Sequence, residues 1–408
     1  MGFIEFDHCF SFWTGNEFCE RLAYYGIAKN LVTYLKVRLH LGNLEAARNV
    51  TTWQGTCYLT PLIGAILADS HWGKYWTIAV FSSVYFTGLA ILTLSATVPA
   101  LQPHTCLGTV CPEASFLQYG IFFIVYNIFP LCLLYRFLDR AAIVSPVDMK
   151  SESTDPWRLC TITQVEELKI LIRMFPIWAT TIIFSAVYAQ NSSMFVEQGM
   201  VLDKRIGSFN IPPASLSTFD VISVIIWVPL YDRILVPVAR KFTGREKGFS
   251  DLQRIGIGLF LSILAMVSAA FVELKRLEIP ESSGLIHEKA DVPMSILWQI
   301  PQYFLVGAAE VFTAIGQLEF FYDQGPDAMR SLCSAFALVT VALGSYISSI
   351  ILTLVSYITT QGGDPGWIPD KLNEGHLDRF FWLIAGISIV NFMVFIGCAS
   401  RYKYKKAQ

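Results

Sequence analysis

Apolar stretches of about 20 residues, long enough to cross a bilayer as a helix, recur along the chain with polar connections between them. Ten such windows predict helices near 10–35, 49–69, 75–98, 116–135, 168–190, 213–237, 253–273, 294–318, 331–358 and 378–399. The pattern is that of an all-α polytopic membrane protein, and an even number of spans puts both ends of the chain on one side of the bilayer. Basic residues indicate which side. Arg136, Arg140, Lys150 and Arg158 follow the fourth window, Arg240, Lys241, Arg245 and Lys247 the sixth, and Arg401, Lys403, Lys405 and Lys406 the last. These clusters face the cytoplasm by the positive-inside rule, although the opposite connections also hold Lys36, Arg38, Lys204, Arg205, Lys275 and Arg276.

Composition agrees, with 54% hydrophobic and only 15% charged residues, too apolar for an ordinary soluble domain of this length. A net charge of -2 without a basic domain or stripe argues against nucleic-acid binding. No phosphate-cradling loop and no metal-ligand spacing supports an enzyme or calls for a cofactor. Of the nine cysteines, only Cys106 and Cys111 lie in a predicted outer connection where a disulfide could form.

The first window carries charge. Glu17, Glu20 and Arg21 fall on one helical face, Arg21 over Glu17 at i, i+4 and Glu20 on their flank. Intramembrane charges are costly and usually mark a pathway; the plainer reading is an ion cluster locking the helix to its neighbours. Glu310 is the only acid deep in the 294–318 window, with a protonated core carboxyl as its structural reading. Tyr25 and Tyr58 could equally be aromatic packing groups.

Several blocks carry a specific resemblance. Glu17-x-x-Glu20-Arg21-Leu-Ala-Tyr24-Tyr25-Gly26, the run Tyr58-Leu-Thr-Pro-Leu-Ile-Gly64-Ala-Ile-Leu-Ala-Asp69-Ser-His-Trp72-Gly73-Lys74, and Gln302 to Tyr322 resemble signatures of the proton-coupled oligopeptide transporters, a branch of the major facilitator superfamily. Asn30-Leu31-Val32 and Asp327-Ala328-Met329-Arg330-Ser331 look most like the plant nitrate and peptide transporter family, in particular its di- and tripeptide carriers. The resemblance implies proton-coupled peptide symport in a plasma or vacuolar membrane. It implies proton coupling by Glu17, Glu20 and Arg21, substrate contacts from Tyr25, Tyr58 and Glu310, with Glu310 on the peptide's amino terminus, and a gating or structural loop at Asp69, Gly73 and Lys74. Some family members place a basic residue seven positions after the motif arginine; here Ala28 stands there, with Lys29 next to it. Nitrate carriage in the family goes with a histidine in the first helix of the C-terminal half, and residues 170–190 contain none.

One block of the pattern is missing. Phe116 to Tyr135 runs straight into Arg136-Phe-Leu-Asp-Arg-Ala-Ala142, which resembles the end of the family's loop between halves. The end of helix four, helices five and six and most of that loop have no counterpart. The implied organisation is a truncated N-terminal bundle at 1–135, a cytoplasmic linker at 136–167 and a six-helix C-terminal bundle at 168–408. Three outcomes stay open: a peptide symporter impaired by the loss, a non-transporting truncated isoform or incomplete gene model, or a carrier of nitrate or another small solute.

Overall fold

The computed structural model describes residues 24–37, 39–67, 162–244, 248–283, 292–325, 330–361, 365–402 and 404, with isolated positions between 83 and 94. The first part of the chain contributes α1 (24–37) and α2 (Asn43–Leu67). Then follow α3 (Ile162–Tyr188), α4 (Met194–Met200), α5 (Thr218–Leu230), α6 (Val236–Thr243), α7 (Asp251–Ser283), α8 (Ile300–Gln324), α9 (Arg330–Thr359) and α10 (Leu377–Arg401).

Among the described residues six segments are long and apolar enough to cross a membrane: Ile172–Met200, Pro213–Thr243, Asp251–Ile279, Ile296–Gln324, Phe336–Thr359 and Leu377–Arg401. They coincide with the six windows expected from residue 168 onward. Helix α3 starts earlier, at Ile162, inside the stretch expected as linker. Helices α1 and α2 overlap the first two windows. The 75–98 window lies largely outside the described residues, and the 116–135 window, Cys106 and Cys111 lie wholly outside them.

Two interruptions shape the later helices. The run Gln190-Asn-Ser-Ser193 breaks the third one because its side chains compete with the helical ladder. Ser193 Oγ donates to the Ala189 carbonyl at 2.9 Å and Gln190 Nε2 to that of Ala186 at 3.0 Å. A 3₁₀ turn at Ala189–Ser192 results, and the chain resumes as α4. Pro229 interrupts the other, where a π turn at Tyr231–Leu235 joins α5 to α6.

In a bilayer apolar faces gain little by meeting one another, so small residues and interhelical hydrogen bonds hold spans together. Helix α2 lies along α9 in this way. A Cβ at Gly55 would stand 3.0 Å from the Ala342 carbonyl oxygen, so glycine sets the approach. Thr52 and Ser349 hydroxyls meet at 3.1 Å, Thr56 and Tyr346 at 3.0 Å. Helix α7 packs against α8 and α10, where Gly258 faces the Ala309 carbonyl oxygen at a Cβ distance of 2.8 Å.

The α4 end of the bundle joins the two parts of the chain. Leu31, Val32, Leu35, Leu39, Leu41, Ala46 and Val50 of the first part form one apolar cluster with Val196 of α4. Lys36 pairs with the fully buried Glu197, and Asn43 Nδ2 donates to the Pro369 carbonyl at 2.7 Å. Behind Glu197 lies a buried polar network. Arg276 donates to Glu273 at 2.6 Å and to Asn373 Oδ1 at 2.6 Å, and Gln198 Nε2 donates to Glu273 at 2.8 Å.

Candidate functional site

Between the two parts of the chain, at the level of the break after α3, lies a cavity of about 110 Å³. Helix α1 supplies Tyr24, Tyr25, Ala28 and Lys29, and α2 supplies Gln54 and Tyr58. Phe184, Ser185 and Tyr188 come from α3, Glu310, Ala314 and Gln317 from α8, and Val341 from α9. Helical periodicity explains the first set, since positions 25 and 29 stand one turn apart on one face. Tyr24 packs edge-on to Tyr25, with ring centroids 5.4 Å apart, and to Tyr58 at 6.1 Å.

Glu310 accepts a hydrogen bond from the Tyr188 hydroxyl at 3.1 Å. The helix break puts Tyr188 at this height and presents Asn191 to the neighbouring α5, where its Nδ2 donates to Asp220 at 2.6 Å. Asp220 is almost fully buried. Its approach to Glu310 depends on Gly307, one turn before Glu310 on the same face of α8. A Cβ at 307 would stand 2.6 Å from the Asp220 carbonyl oxygen and 2.8 Å from its Oδ1. Ser223 Oγ donates to the Phe304 carbonyl at 2.6 Å, fastening α5 along the same stripe.

Lys29 interacts electrostatically with both Asp220 and Glu310. Among the described residues no carboxylate lies within ion-pair distance of its ammonium group. The cavity is therefore lined by a lysine from one part of the chain and a carboxyl group from the other, together with the tyrosines.

Of the residues singled out in the sequence, Tyr25, Tyr58 and Glu310 come together here. Glu17, Glu20 and Arg21, and the loop residues Asp69, Gly73 and Lys74, lie outside the described residues. Asp220 escaped sequence reasoning, and Lys29 was noted there only as the neighbour of the motif's basic position. Lys29 stands one position from the place where the motif pattern carries its basic residue. Asp220 falls in the first turn of α5, where an acid ordinarily serves the helix dipole; its burial was the missing signal.

The profile of the POT family matches residues 133–368, more than half of the chain. The chain belongs to the POT family. Protein NRT1/PTR FAMILY 8.3 of Arabidopsis thaliana is 49% identical over 97% of this chain and 91% of its own length. The 8.5 and 8.1 members from the same plant are 42% and 41% identical, each over 97% of this chain. The first alignment extends over 534 positions, more than the 408 residues present, so POT relatives carry residues that this chain lacks.

A solved structure described as an auto-inhibited POT family peptide transporter superposes with a TM-score of 0.71 at 18% identity, covering 97% of each chain. The POT family transporter PepTSo follows at 0.60 and 16%, covering 94% of this chain and 95% of its own. At such identities the likeness establishes the fold, which is that of the major facilitator superfamily. The protein is thus a multi-pass integral membrane protein of a transporter family, shortened relative to other POT members, and not an enzyme.

Proposed function

We propose that the chain is built for proton-coupled symport of di- and tripeptides. In this reading Glu310 takes the peptide's amino terminus, Lys29 its carboxylate, and Tyr25 and Tyr58 the groups between. The observation that carries it is the pair of opposite charges across one small cavity, Lys29 on α1 and Glu310 on α8. A zwitterion bridging them ties one group of helices to the other, as alternating access between two halves requires, and a low-dielectric site strengthens both contacts. Solved neighbours described as peptide transporters support the substrate class. Glu17, Glu20 and Arg21 supply proton coupling, and Asp69, Gly73 and Lys74 a gating or structural loop.

The missing residues belong, in this reading, to the N-terminal bundle at 1–135 and the linker at 136–167, while 168–408 retains six spans. Four spans cannot enclose a cavity built for six, and faces left without partners expose polar groups to lipid. The 408-residue form is accordingly impaired in transport.

The test is acid-stimulated dipeptide uptake in a peptide-transport-deficient cell. A form with the relatives' extra residues restored takes up peptide and loses uptake as Glu310→Gln, while the short form accumulates little above a Glu20→Gln control. Undiminished uptake by Glu310→Gln would sink the assignment.

A further inference from the structure

The carboxylate at the cavity is not alone. Asp220 lies behind Glu310, and the two acids interact electrostatically. Tyr188 stands between them: its hydroxyl donates to Glu310 at 3.1 Å and also reaches Asp220. The second acid is held firmly in place. Asn191 donates to its Oδ2 at 2.6 Å, and Gly307 admits its Oδ1 against the α8 backbone. That Oδ1 has no hydrogen-bond partner and no contact with solvent, so Asp220 is only half satisfied as an ion.

Charge counting then decides the state of the group. Around the two acids, among the described residues, the titratable or charged groups are Lys29 and Tyr25 from α1, Tyr58 from α2, Tyr188 from α3 and Tyr303 from α8. Tyrosines are neutral near pH 7, so among the described residues a single cation, Lys29, faces two buried carboxyl groups. Two buried carboxylates sharing a site cannot both stay ionised against one positive charge. They titrate as one coupled unit.

We propose that Asp220 and Glu310 share one proton through Tyr188, making Asp220 a second proton-holding residue of the site, on the side away from the cavity. The exchange balances without any further reactant. Asp220 gives its carboxyl proton to the Tyr188 oxygen as Tyr188 gives its hydroxyl proton to the Glu310 carboxylate, and the tyrosine is unchanged. A bound peptide brings its ammonium group to Glu310 and its carboxylate to Lys29, leaving the net charge around the two acids unchanged, so the cation beside Glu310 moves the shared proton onto Asp220. This last step rests on the proposed substrate, whereas the shared proton itself does not.

Infrared spectroscopy of the purified 408-residue chain in nanodiscs tests it near pH 7, reading the carbonyl stretch of protonated carboxyl groups. Asp220→Asn and Glu310→Gln each leave one carboxylate facing Lys29, so each removes the same band, and the double variant removes no more than either single one. Lys29→Gln leaves both acids without a cation and raises that band about twofold by the same charge count. Tyr188→Phe keeps the band and shifts its frequency, because a hydrogen bond is lost without a change in charge. Losses that add in the double variant, or a band untouched by Asp220→Asn, would overturn the proposal. Adding a dipeptide to the unsubstituted chain forms a separate arm. A band that shifts in frequency while keeping its area supports transfer of the proton to Asp220; a band unmoved by peptide but abolished by either single substitution keeps the shared proton and refutes the amine reading of Glu310.

Discussion

Lys36 and Glu197, 161 positions apart, form an ion pair that closes one end of the bundle. Glu197 is fully buried and Lys36 partly so, which makes this contact unlike a surface salt bridge. Removing one partner leaves a buried charge uncompensated, a cost of about 3–5 kcal/mol, whereas replacing both by apolar groups is far milder. A thermal-melting cycle in detergent should therefore show Lys36→Met strongly destabilising and Lys36→Met/Glu197→Met recovering most of the loss. Additive effects would mean the pair does not join the two parts of the chain.

Arg276 governs the segment behind that pair. Its guanidinium holds Glu273, the Asn373 side chain and the Leu372 carbonyl together, and Glu273 in turn receives Gln198, next to Glu197. Arg276→Met is expected to cost about 3–5 kcal/mol by leaving Glu273 buried without its cation. Hydrogen exchange should speed up in Met194–Met200 and in 365–376 together. Faster exchange confined to the end of α7 would contradict the coupling.

Gly307 sets the distance between α5 and α8. A valine there pushes its methyl groups into Asp220 and Ser223, an overpacking cost of about 1–3 kcal/mol or more. Trp227 reports on the same contact, since its ring lies 6.3 Å from that of Phe304 and 6.0 Å from that of Phe312. In a background keeping only Trp227, Gly307→Val should shift its emission to the red and Gly307→Ala less so. Identical spectra would show that the glycine is not what brings Asp220 against α8.

Topology gives a fourth outcome. The ten spans expected from the sequence would place residue 150 and the C-terminus on the same, cytoplasmic side, a parity that the loss of two helices preserves. Reporter tags at both positions should map inside. An external signal at 150 would overturn the assignment of spans.

These outcomes separate what the chain reveals locally from what only folding assembles. Long apolar runs located the six later spans, because bilayer thickness fixes helix length. The 168–190 window ended at the break, but nothing in the hydrophobic pattern showed that the chain resumes as α4 at Met194. Tyr25, Tyr58 and Glu310 could be singled out because their motifs are local. Lys29 was noted but given no role because a neighbour occupied the motif position, and Asp220 was passed over because a first-turn acid needs no further reason. The Lys36–Glu197 pair joins residues whose windows carry no mutual signal at all.

Whether one zwitterion spans Lys29 and Glu310 can be read from ligand truncation. In the form with restored residues, inhibition of labelled dipeptide uptake should be measured for a dipeptide, its N-acetyl derivative and its C-terminal amide. Acetylation is expected to weaken inhibition in the unsubstituted protein but not further in Glu310→Gln, and amidation to do so but not further in Lys29→Gln. Acetylation and amidation penalties that persist unchanged in those variants would contradict the zwitterion bridge.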